Sequence, residues 1–350
     1  MSDPVVKIWG MRPALKSGLL PVWRDRDTVQ IGIDPRRAMA LSGMRRAALV
    51  IGLLDGSRDR GQVIAAAASG GVPVAVTERI LTLLAAGGAL DDFPAAAMRG
   101  LPAESRTRLA SELATTSLAH GDADGGAGAL ARRRDVVIWI DGERRVARAV
   151  ARILGAAGVT QVMVGAIQHR RPDLAVLVGH QPADLLTGLV AEGIPHLAVL
   201  AGEAIGVVGP LVIPGQTSCL RCLDYFRASR DPSWPLILAQ LASRRPDPAA
   251  CDAVLTAAVA AQAAAQTLTA IDKAPGASAT INGTLELVLP DWRWRRRTWQ
   301  PHPACPCAQS HRAVTDNGDH ERLAAPHCDQ DSETGSAAGR PGRPDRARLR

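Results

Sequence analysis

Four cysteines stand as two close pairs, Cys219 and Cys222 in TSCLRCLDYF and Cys305 and Cys307 in HPACPCAQ. Thiolates are soft ligands, and two such pairs brought together would make the tetrahedral sulfur shell that structural zinc takes. The C-x-x-C half, after a turn at Pro214–Gly215, is the stronger signal; the C-x-C half, with Pro306 between, is tighter. Unpaired thiols are the alternative. A redox C-x-x-C would leave the second pair unexplained. His302, between two prolines, is a substitute ligand or an exposed side chain. Cys251 and Cys328 have no local base or orienting group, and Cys251 reads as a core residue at a helix start.

A second stretch has the outline of nucleotide chemistry: VVIWIDGERRVARAVARILGAAGVTQVMV, Val136 to Val164. An apolar strand, a glycine, an amphipathic helix closed by Gly158 and a second strand make a βαβ unit. A dinucleotide or ATP loop of this kind needs G-x-G-x-x-G/A, each small residue for its own reason. Gly142 supplies the tight turn, and Ala147 the third position, where helix and strand pack closely. The second position is Arg144, where a phosphate would meet a side chain instead of bare backbone. Arg144, with Arg145 beside it, could still offer a guanidinium to an anion. The acid that would hold the ribose hydroxyls at the end of the second strand is also missing, because residues 144–172 contain no Asp or Glu. Both losses fall on groups that touch ligand. A Rossmann-like fold without nucleotide is the favoured reading.

The elements around these motifs fall into four stretches. In residues 1–94, LLPVWRD, TVQIGI and AMALSG (Ala38–Gly43) read as short strands. Three helical patterns follow at Arg45–Leu54, Arg60–Ala68 and Val74–Ala86, stopped by DGS and by Gly87–Gly88. This is a compact, winged-helix-like α+β module. Residues 95–134 hold one helix candidate, Ala103–Leu118, and then HGDADGGAGALARRR, which reads as a linker. From residue 135 to 311 strand and helix alternate, with strands at Val136–Ile140, Val162–Val164, Asp173–Val178 and His196–Leu200. That alternation implies a mainly parallel sheet with helices on both faces. LELVLPDWRW reads as a late strand with one wet face; its continuation to Trp299, with Arg293, Arg295, Arg296 and Arg297, could alternatively form a basic surface. Residues 312–350 are polar and Gly/Pro/Arg-rich, and disorder is expected there.

The chain has 350 residues and a net charge of +7, of which the last eleven residues carry +4. A nucleic-acid role would therefore rest mostly on the tail. No apolar run follows a basic start at the N-terminus, and AVLTAAVAAQAAA (Ala253–Ala265) is short and alanine-rich, a buried helix and not a membrane span. A cytoplasmic protein with reduced or metal-bound cysteines is expected.

From about Asp135 to Cys307 these features resemble the ThiF/MoeB-like, ubiquitin-activating superfamily. The strand–loop–helix, GPLVIPGQTSCLRC and LELVLPDWRWRRRTWQPHPACPC carry the likeness. That resemblance implies a structural zinc on Cys219, Cys222, Cys305 and Cys307, and a homodimer. It also implies ATP-dependent adenylation of a carboxyl terminus, from which this chain departs at Arg144 and at the missing acid. More narrowly, CLRCLDYFRASRDPSWPLILAQL resembles the cyclodehydratase-type proteins of azoline peptide biosynthesis, in which a PqqD-like element precedes the ThiF-like domain. Such elements bind a precursor's leader peptide as an added strand. The resemblance then implies an edge at Ala38, Met39, Ala40 and Leu41, with Glu78 and Leu81 on the helix beside it.

The function implied is a leader-binding scaffold that presents a ribosomal peptide to a YcaO-type partner. One alternative is an active adenylyltransferase using Arg144 on phosphate. Another is a winged-helix DNA-binding regulator.

Overall fold

The computed structural model describes residues 12–42, 46–92, 102–166, 170–241, 250–273 and 278–307. The expected polar tail at 312–350 lies outside them.

The N-terminal module holds β1 (Pro13–Leu15), β2 (Pro21–Trp23), β3 (Val29–Ile31), β4 (Met39–Leu41) and β5 (Leu90–Asp92). Its helices are α1 (Ala47–Gly52), α2 (Arg60–Ser69) and α3 (Val74–Ala86). Strands β2, β3 and β4 form an antiparallel sheet with β4 at one edge, while β1 pairs with β5. Helix α2 starts at a capping box: the Asp59 carboxylate accepts from Gln62 N–H at 2.8 Å, and the Gln62 side chain accepts from Asp59 N–H at 2.9 Å. Val29, Ile31, Leu41, Val50, Ile80 and Leu84 belong to one buried cluster, so the sheet and all three helices share a core. Helix α3 closes against β4 at Gly87, where a Cβ would lie 1.8 Å from the Met39 sulfur.

Residues 102–135 are helical through most of their length, including part of the 120–134 stretch that reads as a linker. They form α4 (Ala103–Arg108), α5 (Ala110–His120) and α6 (Ala127–Asp135). The single helix expected at Ala103–Leu118 is interrupted at Leu109. The Gly/Asp run is a capping turn, in which the Asp124 carboxylate accepts from Gly126 N–H at 2.8 Å and Gly128 N–H at 2.9 Å. The small residues that suggested flexibility serve a close approach: Gly126 has φ +79, and a Cβ there would sit 2.5 Å from the Leu113 carbonyl oxygen. Arg133 in α6 is buried, pairing with Asp272 at 2.6 Å and Glu112 at 3.1 Å and donating to the Ala157 carbonyl at 2.9 Å. On the other side, buried Lys16 of the module pairs with Asp91 at 2.9 Å and donates to Ser117 Oγ at 2.5 Å and to the Asp122 carbonyl. This segment therefore ties the module to the domain that follows.

That domain is built on seven strands in the order β12-β11-β10-β9-β8-β6-β7. They are β6 (Val137–Gly142), β7 (Gln161–Val164), β8 (Leu174–Val178), β9 (His196–Gly202), β10 (Ile205–Val212), β11 (Gly283–Val288) and β12 (Trp294–Thr298). Strands β7, β6, β8 and β9 are parallel, and β10, β11 and β12 extend the sheet antiparallel. LELVLPDWRW is thus not one strand. It turns at Pro290–Trp292, with Trp292 at φ +56, and runs on into the hairpin partner β12.

Helices α7 (Arg144–Ala156) and α11 (Ala253–Asp272) cover one face of the sheet. Helix α8 (Ala183–Ala191) covers the other, over Trp139, Ala175 and Leu177. Helices α9 (Leu220–Ala228) and α10 (Trp234–Leu241) follow β10. Helix α11 runs beyond the expected Ala265 and is long and apolar enough to cross a bilayer by length and composition. Its Leu255, Val259, Ala260, Ala263 and Ala264 are buried in the sheet core.

Candidate functional site

Cys219 occupies the N-cap position of α9 and Cys222 sits in its first turn, so the C-x-x-C spacing puts both thiols on one side of the helix start. Cys305 and Cys307 arrive from the segment after β12, once Trp299 has been buried beside them with its indole N–H on Thr284 Oγ1 at 2.9 Å. The four sulfurs all lie within 4.8 Å of one another. Three of the separations are 3.8 Å (Cys219–Cys222), 3.6 Å (Cys219–Cys305) and 3.2 Å (Cys222–Cys307). A tetrahedral shell with ~2.3 Å metal–sulfur bonds needs sulfurs about 3.8 Å apart, so the cluster is compatible with zinc.

The electrostatics agree. The Cys222 thiol is drawn down to about 4, first by the neighbouring Cys219 thiol and also by the His302 backbone N–H, which donates to its sulfur at 3.2 Å. Cys219 is pushed up, chiefly by Cys222, and burial pushes Cys307 up to about 12. Left to themselves the sulfurs resist multiple ionisation; a dication is what would let all four carry charge. His302 serves the cluster through its backbone and through ring packing on Tyr225 and Phe226, with centroids 5.1 and 4.6 Å away. Cys251 is buried, with its sulfur 3.3 Å from Thr256 Oγ1.

The glycine loop keeps its fold roles. Gly142 has φ +111, and a Cβ there would come within 1.8 Å of the Val178 carbonyl oxygen. Ala147 is buried against the sheet. The helix N-terminus, which would receive a phosphate, is already occupied by the chain itself. The Glu143 carboxylate accepts from Arg145 N–H at 2.9 Å and from Val146 N–H at 2.8 Å. Arg144 is exposed and lines a cavity of about 630 Å³ with Asp141, Gly142, Arg148, Val164 and Gly165. The carboxylate among those lining residues is Asp141, on β6 and not on β7 where a ribose-binding acid belongs. Arg145 turns away from the loop and donates to the Cys251 carbonyl at 2.8 Å.

Of the residues expected to meet a peptide, Ala38 to Leu41 do lie at the β4 edge, and Ala40 is exposed. Glu78 pairs with Arg60 at 3.0 Å. Leu81 is 1% exposed and belongs to the module core, because the α3 face that carries it packs inward with Ile80 and Leu84. The aromatic-basic run is likewise spoken for: Arg295 and Arg293 meet Asp291, Arg297 stacks over Trp299 at 5.1 Å, and Arg296 donates to Ala279 and Ile281 carbonyls.

A further cavity is marked by no sequence motif. It measures about 390 Å³ and lies between α8, α9 and α10 on the α8 face of the sheet, lined by His180, Gln181, Asp224, Arg227 and apolar residues including Leu177 and Leu200. Burial pushes Asp224 up, against the indole N–H of Trp234, which donates to it at 3.0 Å. His180 is lowered, first by burial and then by Arg227. The only sequence signal was the i, i+3 spacing of Asp224 and Arg227; His180 and Trp234 join them through folding alone.

No protein-family model matches the chain, and no curated protein sequence does. Its fold is shared with solved structures. A heterocyclase in complex with substrate and cofactor superposes with a TM-score of 0.64 at 18% identity, over 84% of this chain and 39% of its own. The heterocyclase TruD gives 0.62 at 18% identity, over 87% and 44%. E. coli MccB, solved with AMPCPP and MccA, gives 0.61 at 12% identity, over 84% and 98%. The chain thus spans less than half of the heterocyclase chains and nearly all of MccB. Its mixed α/β sheet, paired cysteines and self-capped loop are carried on the fold of heterocyclase- and MccB-type proteins.

Proposed function

We propose that the protein is a leader-binding scaffold of a cyclodehydratase-type system for ribosomally made peptides, presenting a precursor to a YcaO-type partner in the cytoplasm. The observation that carries the scaffold reading is Glu143. A carboxylate on the two N–H groups that a phosphate would use, with no acid at the end of β7, leaves the protein without the two contacts that adenylation requires. The N-terminal module supplies the binding half. Strand β4 offers an edge, Ala40 is exposed on it, and α3 packs beside it through Gly87 and Met39. An extended leader added to that edge gains main-chain hydrogen bonds and side-chain pockets together. Zinc on the four cysteines would be structural, because a shell of four protein sulfurs leaves no open position for substrate.

The test is binding of a labelled precursor leader to the full chain. Ala40→Lys, which places a charge on the edge, should weaken it about tenfold without loss of fold. Unchanged binding would remove β4 as the site. Separately, ATP–pyrophosphate exchange with the precursor should be absent. Exchange that disappears in Arg144→Ala would instead establish the adenylyltransferase alternative.

A further inference from the structure

Two arginine-rich runs of this chain end in opposite circumstances. Around β12 each arginine has a carboxylate, carbonyl or ring partner. On α7, Arg144, Arg148 and Arg152 recur every fourth residue, so they share one face at about 6 Å intervals along the axis. All three are exposed, and none has an ion pair among the described residues. Like charges at i, i+4 repel, and Arg144 stands at the positive end of the helix dipole. The buried face of α7, Val146, Ala147, Val150 and Leu154, needs no arginine opposite it. A stripe that opposes its own helix and supports nothing in the fold is one retained for a ligand.

The stripe borders a groove. Helices α7 and α11 run side by side in the same direction. Arg145 reaches the Cys251 carbonyl at their N-terminal ends, and Arg133 joins Ala157 to Asp272 at their C-terminal ends. Between their first halves lies a cavity of about 360 Å³, walled by the three arginines, Arg145 and Ala149 on one side and by Ala253, Thr256 and Ala257 on the other. The exposed line of α11 continues through Ala261 and Ala265, small at every fourth position, so another helix can approach closely.

We propose that this groove docks an acidic amphipathic helix of a partner polypeptide. Carboxylates one turn apart would meet Arg144, Arg148 and Arg152 in the paired geometry that guanidinium favours, while the apolar side lies on the α11 alanines. Among the described residues no helix carries more than one Asp or Glu, so the described helices of a second copy do not supply the complement. Nucleic acid is the poorer match, because no aromatic side chain lines the groove for stacking. The surface is separate from the β4 edge and does not rest on the leader-peptide reading.

The experiment uses the full chain and a fluorescent 18-residue synthetic helix with glutamates at every fourth position and alanine and leucine on the adjacent face. Binding should weaken about tenfold in an Arg144→Glu, Arg148→Glu, Arg152→Glu variant, and fall when the glutamates are replaced by glutamine. Ala257→Trp, which fills the groove and keeps the arginines, should weaken it about fivefold. Thermal unfolding of each variant confirms that it folds. Equal binding by the triple variant or by Ala257→Trp would overturn the proposal, as would tighter binding of a 20-base-pair DNA duplex than of the glutamate helix.

Discussion

The cysteine cluster and the glycine loop both carry ligand-binding sequence motifs, and they have gone opposite ways. At the cysteines, groups 86 residues apart in the chain, Cys219 and Cys305, are brought to 3.6 Å and buried, with a backbone N–H supplied to one sulfur. At the loop, the turn glycine and the packing alanine are kept, but the ligand-facing donors are consumed by Glu143. A site kept for stability needs all of its ligands, because three thiolates without the fourth leave an open shell. A loop kept for stability needs only its turn and its packing. The comparison separates what the fold uses from what chemistry would use.

The largest effect that would break this contrast is at the metal. A Cys222→Ser, Cys307→Ser double variant should lose about one zinc per chain and several kcal/mol of stability, read by metal analysis and thermal unfolding. A protein equally stable with and without metal would show that the cysteines do not hold the fold through a metal. Next comes Gly142→Ala. Positive φ and the 1.8 Å approach to Val178 oxygen together should cost about 3 kcal/mol in denaturant unfolding carried out without nucleotide. A cost near zero would mean the turn is not held for the fold.

Glu143→Ala removes the cap of α7 and should cost about 1 kcal/mol. It should not restore ATP binding by calorimetry, since the ribose acid is still absent; binding that appears would show Glu143 to be a removable plug. The smallest effect lies at the junction between module and domain. Burial first, then Asp124, pushes the Asp122 carboxyl up to about 6 from an ordinary 3.8, and its Oδ1 is buried without a hydrogen-bond partner among the described residues. A carboxyl whose folded value is raised holds its proton better folded than unfolded. Its contribution is therefore intact below about pH 4 and lost as pH rises through 6. Asp122→Asn should raise the melting temperature by ~2 °C at pH 7.5, with the gain vanishing by pH 4.

Much of this was readable along the chain. Helix α3 forms at Val74–Ala86 as its periodicity and stop glycines require, and the βαβ alternation places β6, α7 and β7. The cysteine spacing foretold the cluster. The misreadings share a cause. Small residues around Gly126 look like a linker until Leu113 and Asp124 are placed against them. Leu81 looks available beside a sheet edge until the helix is rotated into its core. LELVLPDWRW alternates like one strand because a hairpin's two arms each alternate, and only the positive φ at Trp292 divides them.

The sequence by itself determined which groups exist: four cysteines in two pairs, a turn glycine followed by arginine, and no acid from 144 to 172. Those are local facts, and spacing carries them. Tertiary structure decided which groups are engaged. It seated Glu143 on the α7 N–H groups, buried Lys16 and Arg133 with partners far along the chain, satisfied the arginines around β12 and left Arg144, Arg148 and Arg152 of α7 without an ion pair among the described residues. Whether a charge is spent depends on which distant residues the fold carries to within a few ångströms of it, because the Coulomb and hydrogen-bonding terms that pair it act at that range.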